Sequence, residues 1–230
     1  MSREGILMMV RMDILPEIEA DWNRWYDTRH IPDRMKISGF RSARRFVAVE
    51  GEPKYWSVYD LESVEVLASE PYLQLRDREY SLPSDSFELI TGRLPNISRG
   101  LYRQIYPETG EYQVPDTEFL FAVGFDVPPE RQEEFNAWYN TEHIPALLQV
   151  PGLVTARRFI AEERQMPARA GKIKTAPQYV ALYDVKSEAA IHHESFGKAV
   201  STPWTLRIRS VASRRFRILG RRIYPRQSNE

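Results

Sequence analysis

The chain contains the octapeptide Trp25-Tyr26-Asp27-Thr28-Arg29-His30-Ile31-Pro32 and, further along, its near copy Trp138-Tyr139-Asn140-Thr141-Glu142-His143-Ile144-Pro145. The copies differ only where Asn140 replaces Asp27 and Glu142 replaces Arg29. The same spacing relates three flanking features: Asp13 and Asp126, Gly39 and Gly152, and the triplets Arg44-Arg45-Phe46 and Arg157-Arg158-Phe159. A match held over this length of chain indicates an internal duplication.

The duplication predicts how the chain is divided. A chain of 230 residues has room for two domains of ordinary size. We expect a first repeat over residues 1–113 and a second over residues 114–230, which together can bury a substantial core.

A helix is predicted to carry the octapeptide in each repeat. Prolines and acidic residues that suit a first helical turn precede both copies. Trp25 and Trp138 lie on an apolar stripe at helical spacing, so we expect them to be core residues. The residue before a proline disfavours helical backbone, so the helix is expected to end near His30 or His143, leaving each histidine in a last turn.

Strands are predicted around these helices. They begin near Ile6, Ser42, Tyr55 and Leu101 in the first repeat, and near Phe119, Thr155, Tyr179 and Leu219 in the second. A second helix should open at Ser63 and at Ser187. Each repeat then has the ferredoxin-like order βαββαβ, with helices on one sheet face only. The predicted fold is therefore α+β, with two tandem ferredoxin-like βαββαβ repeats that pair their bare faces in one α+β barrel.

The third strand of each repeat has two different faces. Tyr59 and Tyr183 alternate with apolar residues such as Val58 and Leu182. We expect the apolar face to pack on the helices and the tyrosine face to line a central cavity between the two sheets.

The composition of the chain limits the kinds of partner that we expect it to bind. Lys and Arg together number 32, as do Asp and Glu, so the net charge is zero and no nucleic-acid partner is expected. The chain has no cysteine, which suits a cytoplasmic location and excludes thiolate chemistry. The apolar run before Arg11 is too short for a membrane span, so no membrane partner is expected. Arginines crowd the C-terminal end at 214, 215, 217, 221 and 222, where either a small anion or solvent is a suitable partner.

The motif Trp-Tyr-x-x-x-His-Ile-Pro, followed by a glycine and an Ala-Arg-Arg-Phe strand, resembles the EthD-like family of the dimeric α+β barrel superfamily, here in a fused two-repeat form. The likeness covers nearly the whole chain, and the second repeat is the more similar one. The resemblance implies one of several activities. Relatives include cofactor-free enzymes that rearrange, oxidise or cyclise aromatic intermediates, isomerases of ring-fission products, and haem-binding members.

The predicted catalytic residues are His143, His30, Tyr139 and Tyr26. Tyrosine and histidine stand four residues apart, so a phenol and an imidazole are neighbours on each helix. At a helical C-terminus the protonated imidazole is favoured, which suits a general acid. The alternative is that each histidine only ties the helix end to the next strand.

The predicted substrate-binding residues are Arg157, Arg44, Tyr59 and Tyr183. One arginine of each Arg-Arg pair should face the cavity and hold a carboxylate. Ion pairs with Asp13, Asp60, Asp126 or Asp184 are the alternative. No metal site is expected, because adjacent histidines at 192 and 193 point apart on a helix and no other cluster has ligand spacing.

The resulting hypothesis is a cofactor-independent cis-trans isomerase or tautomerase of a small anionic hydroxydienoate, a ring-fission product of aromatic catabolism. Its reaction needs an acid-base pair, an anion clamp and a dry cavity. The alternatives are a cofactor-free monooxygenase or haem-binding protein of the same fold, and a non-catalytic binding or assembly protein. The sequence is compatible with a homodimer of the fused chain.

Overall fold

The computed structural model describes residues 5–81, 94, 96–108, 112–162 and 176–225. Eight strands run through it: β1 Ile6–Met12, β2 Phe40–Glu50, β3 Tyr55–Leu61, β4 Ser98–Tyr106, β5 Phe119–Asp126, β6 Leu153–Ala161, β7 Tyr179–Val185 and β8 Ser213–Tyr224. All neighbouring strands are antiparallel and close into one barrel in the order β1-β3-β2-β8-β5-β7-β6-β4. The α+β barrel predicted from the sequence is confirmed.

Helices lie between the strands and cover the outside of the barrel. Between β1 and β2 lie α1 Glu19–Trp25, a π-helical turn Tyr26–His30 and α2 Ile31–Met35, and α3 Glu70–Tyr80 precedes β4. Between β5 and β6 lie α4 Gln132–Trp138, a π-helical turn Tyr139–His143 and α5 Ile144–Leu147. Before β8 come α6 Ala189–His192, α7 Glu194–Ala199 and α8 Pro203–Arg209. Within the part of the chain that is described, no helix has the length and apolar character needed to cross a membrane.

The prediction that each octapeptide helix ends at its histidine is wrong. The helix passes through the proline, and the π-helical turn is what allows it. At this turn the N–H of Ile31 bonds the carbonyl of Tyr26, five residues back, and Ile144 bonds Tyr139 in the same way. A proline lacks an N–H, so it is tolerated where the regular hydrogen-bond pattern is already interrupted. His30 and His143 therefore lie inside a helix, not in its last turn.

The predicted assignment of the sheet faces is also wrong. Tyr59 faces outward, because its hydroxyl donates to the hydroxyl of Tyr26 on the covering helix. The opposite face of the same strand, with Trp56 and Val58, points into the barrel and packs against Leu120, Val180, Leu182 and other apolar residues from both halves. The space between the sheets is thus filled by buried side chains, where the sequence had suggested a central cavity.

The outer sheet faces and the helices form two further cores. One joins Trp22, Tyr26 and Ile31 to β1 and β3, and the other joins Phe135, Trp138 and Ile144 to β5 and β7. Trp138 is fully buried, as expected of a core residue, whereas Trp25 is only partly buried. Tyrosines pack well in these layers because their rings bury apolar area while the hydroxyls find polar partners.

Candidate active site

A cavity of about 400 Å³ lies between the second octapeptide helix and the outer face of the sheet. Its size falls within the roughly 300–1,000 Å³ range of small-molecule sites. Its walls are mainly apolar and aromatic: Phe121, Val123 and Phe125 from β5, Trp138 and Leu147 from the octapeptide helix, and Phe196, Val200, Thr205, Ile208 and Ala212 from the C-terminal helices and turns. The polar lining residues are Tyr139, His143, Tyr183, Arg209, Arg214 and Arg217.

The imidazole of His143 is held by two aromatic rings. Its centroid lies 4.3 Å from that of Trp138 and 5.0 Å from that of Tyr139, which meets it edge-on at 84°. The tyrosine and the histidine of the motif are thus neighbours, as their spacing predicts. The Nδ1 atom is buried and has no hydrogen-bond partner among the described residues. The residue itself is one of those that line the cavity.

The charge of His143 differs from the sequence expectation. Burial, reinforced by the positive charges of Arg209 and Arg158, lowers the pKa of His143 to about 3. The expected helix C-terminus is absent because the helix continues past the histidine, so no carbonyl end favours the cation. At neutral pH the imidazole is therefore uncharged, which suits a proton acceptor better than the predicted general acid.

Two phenols lie beside the imidazole. The hydroxyl of Tyr183 donates to that of Tyr139 at 3.3 Å, longer than a usual bond between hydroxyls. Burial is the main cause that raises the pKa of both tyrosines, so both are neutral at neutral pH. Tyr139 keeps its own proton and can donate it in a hydrogen bond to a developing oxyanion.

A buried cation lies under Tyr139. The guanidinium carbon of Arg158 is 4.2 Å from the centre of the Tyr139 ring, and the residue is 1% exposed. Its two terminal nitrogens donate to the side-chain oxygens of Asn140 and Asn136, both at 2.6 Å. These partners are neutral, and Arg158 makes no ion pair with a described carboxylate. A positive charge therefore lies behind Tyr139, one of the residues that line the cavity.

Arginines also stand at the rim. Arg209, at the end of α8, and Arg214 of β8 are exposed and make no ion pair with a described residue. Arg217 donates to Glu50 at 2.8 Å and lies 4.8 Å from the ring of Phe121. Of the arginines that crowd the C-terminal part of the sequence, Arg214 and Arg217 line this cavity. The sequence did not single out Arg209, because only the fold brings α8 to the cavity.

Among the described residues, the surroundings of the first octapeptide are more polar than those of the second. Arg34 stands at the position that corresponds to Leu147, and it is buried in a two-pronged ion pair with Glu79 at 3.0 Å. Tyr26 bonds Tyr59 and Ser57, and His30 lies with its Nδ1 3.9 Å from Glu79. His30 borders a different cleft of about 430 Å³, lined mostly by charged residues, which neither Tyr26 nor Tyr59 reaches. Tyr139, His143 and Tyr183 of the second repeat thus line one apolar cavity together, whereas His30 lies in a charged cleft without Tyr26 and Tyr59.

The predicted anion clamp lies elsewhere. Arg44 and Arg157 point into the barrel, where Arg44 bonds Asp184 at 2.5 Å and Arg157 bonds Asp60 at 2.6 Å. Tyr112 covers them: its hydroxyl donates to Asp184 at 2.9 Å, and its ring lies 3.3 Å from the guanidinium carbon of Arg157. This is the ion-pair alternative that the sequence had left open. Both arginines therefore lie inside the barrel, apart from His143 and Tyr139.

The remaining histidines do not form a metal site. His192 pairs with Glu50 at 2.5 Å, and His193 accepts the N–H of Ser195 at the start of α7. Among the residues that the structure describes, no group of three histidine or acidic side chains could hold a metal ion.

Comparison with known proteins gives the fold. No protein-family model and no curated protein matches the chain. An anthrone oxidase-like protein is 16% identical with a TM-score of 0.59, over 100% of this chain and 95% of its own. A protein assigned as a chlorite dismutase is 14% identical with a TM-score of 0.60, over 96% and 95%. A heme-binding protein from Thermus thermophilus is 10% identical with a TM-score of 0.56, over 96% and 92%. The chain shares the α+β barrel of these proteins over essentially its whole length.

Proposed function

We propose that the second octapeptide supplies the active site of a cofactor-independent enzyme that moves a proton on a small anionic molecule derived from an aromatic ring. The single observation that supports this most is the neutral imidazole of His143, whose buried Nδ1 lacks a partner and which borders an apolar cavity with a cationic rim. We retain cis-trans isomerisation or tautomerisation of a hydroxydienoate as the proposed reaction.

His143 is the proposed base. It takes the enol proton of the substrate and returns it at a carbon, and the double bond that becomes single is then free to rotate. A bound carboxylate near the imidazole offsets part of the cost of burying a positive charge, so the pKa of His143 rises when the substrate enters. The same histidine is then able to act first as base and afterwards as acid.

The neighbouring groups have distinct proposed roles. The hydroxyl of Tyr139, backed by Tyr183, donates to the enolate oxygen as charge develops. Arg209 and Arg214 hold the carboxylate at the rim, a role that the sequence had suggested for Arg157 and Arg44.

The test compares two histidines of the same motif. His143→Ala and His30→Ala are assayed on hydroxydienoate ring-cleavage products by the change in ultraviolet absorbance. We expect His143→Ala to lose about 10²–10⁴-fold in kcat, the usual share of a general base. We expect His30→Ala to stay close to the wild type, since His30 borders a charged cleft that neither Tyr26 nor Tyr59 lines.

Equal loss in both variants, or none in His143→Ala, rejects the proposed role. A thermal shift with aromatic acids but no turnover of any of these products favours the non-catalytic binder.

A second candidate starts with the same proton abstraction. The apolar walls around His143 also suit a carbanion that reacts with molecular oxygen, and the name of the anthrone oxidase-like neighbour describes chemistry of this class. An oxygen electrode separates the two reactions. Turnover under nitrogen favours the isomerase, whereas substrate-dependent oxygen uptake favours the cofactor-free oxygenase.

Haem is a poor match to the residues of the cavity. A metal-bound histidine almost always donates its other ring N–H to a carbonyl, a carboxylate or a water. His143 has no such protein partner at Nδ1 among the described residues, and its ring is packed against Trp138. The proposed reaction therefore does not involve haem.

We also infer that the chain is a fusion of two ferredoxin-like repeats, residues 1–113 and residues 114–230, within the EthD-like branch of the superfamily. The order βαββαβ on each side of residue 113 supports this inference. A homodimer of the fused chain stays a prediction, which sedimentation of the purified protein tests.

A further inference from the structure

We propose that the cavity binds its ligand as a delocalised oxyanion, a phenolate or an enolate, in preference to the neutral acid, because Arg158 is a buried cation that lies against the ring of the cavity residue Tyr139 and has no carboxylate partner among the described residues. The inference rests on the proposed function, since it names the ionisation state of the ligand in the same site. In this proposal, Asn140 is the residue that leaves the positive charge of Arg158 unneutralised.

The first octapeptide provides an internal comparison. Arg45 occupies the position that corresponds to Arg158, and its guanidinium carbon lies 4.2 Å from the ring of Tyr26, the same distance as Arg158 from Tyr139. One of its terminal nitrogens donates to Asn23 at 2.7 Å, and the other donates to the carboxylate of Asp27. The two arginines lie against their tyrosines in the same geometry, but Arg45 has a carboxylate partner and Arg158 has a neutral amide instead.

One substitution accounts for the difference. Asp27 neutralises Arg45, whereas Asn140 offers Arg158 the same oxygen without the negative charge. A lone buried charge is costly, because a polar amide compensates only part of the lost hydration. Tyr139 lines the apolar cavity beside the second octapeptide, and the uncompensated arginine lies against the ring of that tyrosine. An anion in that cavity supplies the missing countercharge.

The neighbouring groups respond to the same charge. Arg158 is one of the positive groups that lower the pKa of His143, and it acts to lower the pKa of Tyr139 and Tyr183 against the larger effect of burial. A ligand hydroxyl that lies against Tyr139 experiences this potential too, since opposite charge favours the ionised form of a nearby acid. Arg158 does not border the cavity, so it is a positioning residue that acts through Tyr139.

The test introduces the missing carboxylate. Asn140→Asp reproduces in the second octapeptide the arrangement that Arg45 and Asp27 already have, and Asp27→Asn is the matched control. The probe is para-nitrophenol, whose absorbance distinguishes the phenol from the phenolate. We expect the wild type to bind the phenolate at least about tenfold more tightly than the phenol, equivalent to a fall of one unit in the pKa of the bound probe.

We expect the two substitutions to differ in their effects on the phenolate preference and on the pKa of His143. In Asn140→Asp we expect that preference to vanish, and the pKa of His143, followed by NMR of the imidazole in the ligand-free protein, to rise. Asp27→Asn should leave both quantities unchanged. Asn136→Asp, which places the carboxylate on the other nitrogen of Arg158, repeats the test if Asn140→Asp does not fold.

Three results overturn the inference: no binding of the probe by the wild type, tighter binding of the phenol, or a His143 pKa and phenolate preference in Asn140→Asp equal to those of the wild type. Neither measurement needs turnover. If His143→Ala abolishes turnover but the phenolate preference is absent, only this inference fails. If the preference is present and no ring-cleavage product reacts, only the proposed function fails.

Discussion

His30 and His143 occupy the same place in the same motif, yet their surroundings make them chemically different. His30 lies near the carboxylate of Glu79, a counter-charge for a protonated ring. His143 has aromatic rings around it and only arginines among the charges that shift its pKa. The charged residues that distinguish the two sites lie outside the motif, on α3, β6 and α8. The octapeptide alone therefore could not predict that His143 is neutral.

The depressed pKa of His143 predicts a stability that falls in mild acid. The unfolded chain gains a proton on this histidine near pH 6.5, whereas the folded chain resists protonation down to about pH 3. Between these values the unfolded state binds more protons, so the free energy of unfolding rises with pH, by on the order of a few kcal/mol over the whole window. Urea unfolding at pH 7 and pH 4.5 measures this change in the free energy of unfolding. His143→Gln should lose less stability than the wild type over this interval.

His193→Gln is the control for that experiment, because His193 is exposed and caps α7. It should follow the wild-type pH dependence. If His143→Gln and the wild type lose the same stability between the two pH values, His143 is not the neutral buried group described above.

At the scale of elements, the turn after each octapeptide helix depends on a glycine. Gly39 has φ +94° and Gly152 has φ +91°, values that favour glycine over any residue with a side chain. A methyl group on Gly39 would lie 2.4 Å from a methyl of Val66, whereas one on Gly152 would meet Ala190 at 3.0 Å. Both glycines are needed for the turn, but the space around them differs.

Alanine at the two turns should therefore destabilise the fold to different extents. The left-handed backbone costs about 1–2 kcal/mol in each variant, and Gly39→Ala adds a clash with Val66. We expect the larger fall in the free energy of urea unfolding for Gly39→Ala. Gly197→Ala in α7 should raise it by about 0.5–1 kcal/mol, because that glycine is helical and has open space around it. Equal effects at the two turns would mean that Val66 simply moves aside.

The order of strands and helices was predictable from the sequence because each element has its own pattern. Alternation marks β3 and β7, and helical spacing marks the octapeptide helix. The end of that helix was not predictable from Pro32 or Pro145, because a π-helical turn depends on how the helix packs. The faces of β3 were assigned wrongly because Tyr59 looks polar in sequence, although its ring is buried and only its hydroxyl needs a partner.

At the scale of the whole molecule, two crossed ion pairs link the halves inside the barrel. Arg44 of β2 pairs with Asp184 of β7, and Arg157 of β6 pairs with Asp60 of β3. Burial acts to raise the pKa of Asp60, but the charges of Arg157 and Arg44 and the hydrogen bonds from Arg157 and Ser42 together outweigh it and leave that pKa below its usual value. The sequence named all four residues but could not choose between an internal pair and a substrate clamp, because the partners lie far apart in the chain.

Removing one residue of a crossed ion pair should lower the free energy of unfolding far more than replacing both residues by apolar ones. Asp184→Ala leaves Arg44 buried with only the hydroxyl of Tyr112 as a partner, so we expect a loss of about 3–5 kcal/mol in the free energy of urea unfolding. The double variant Arg44→Met, Asp184→Leu removes both charges, and such replacements are often neutral or stabilising. We expect it to recover most of the lost stability and to retain wild-type turnover, since Arg44 lies inside the barrel and the cavity lies outside it. Loss of turnover in a stable double variant would instead return Arg44 to the role of substrate clamp.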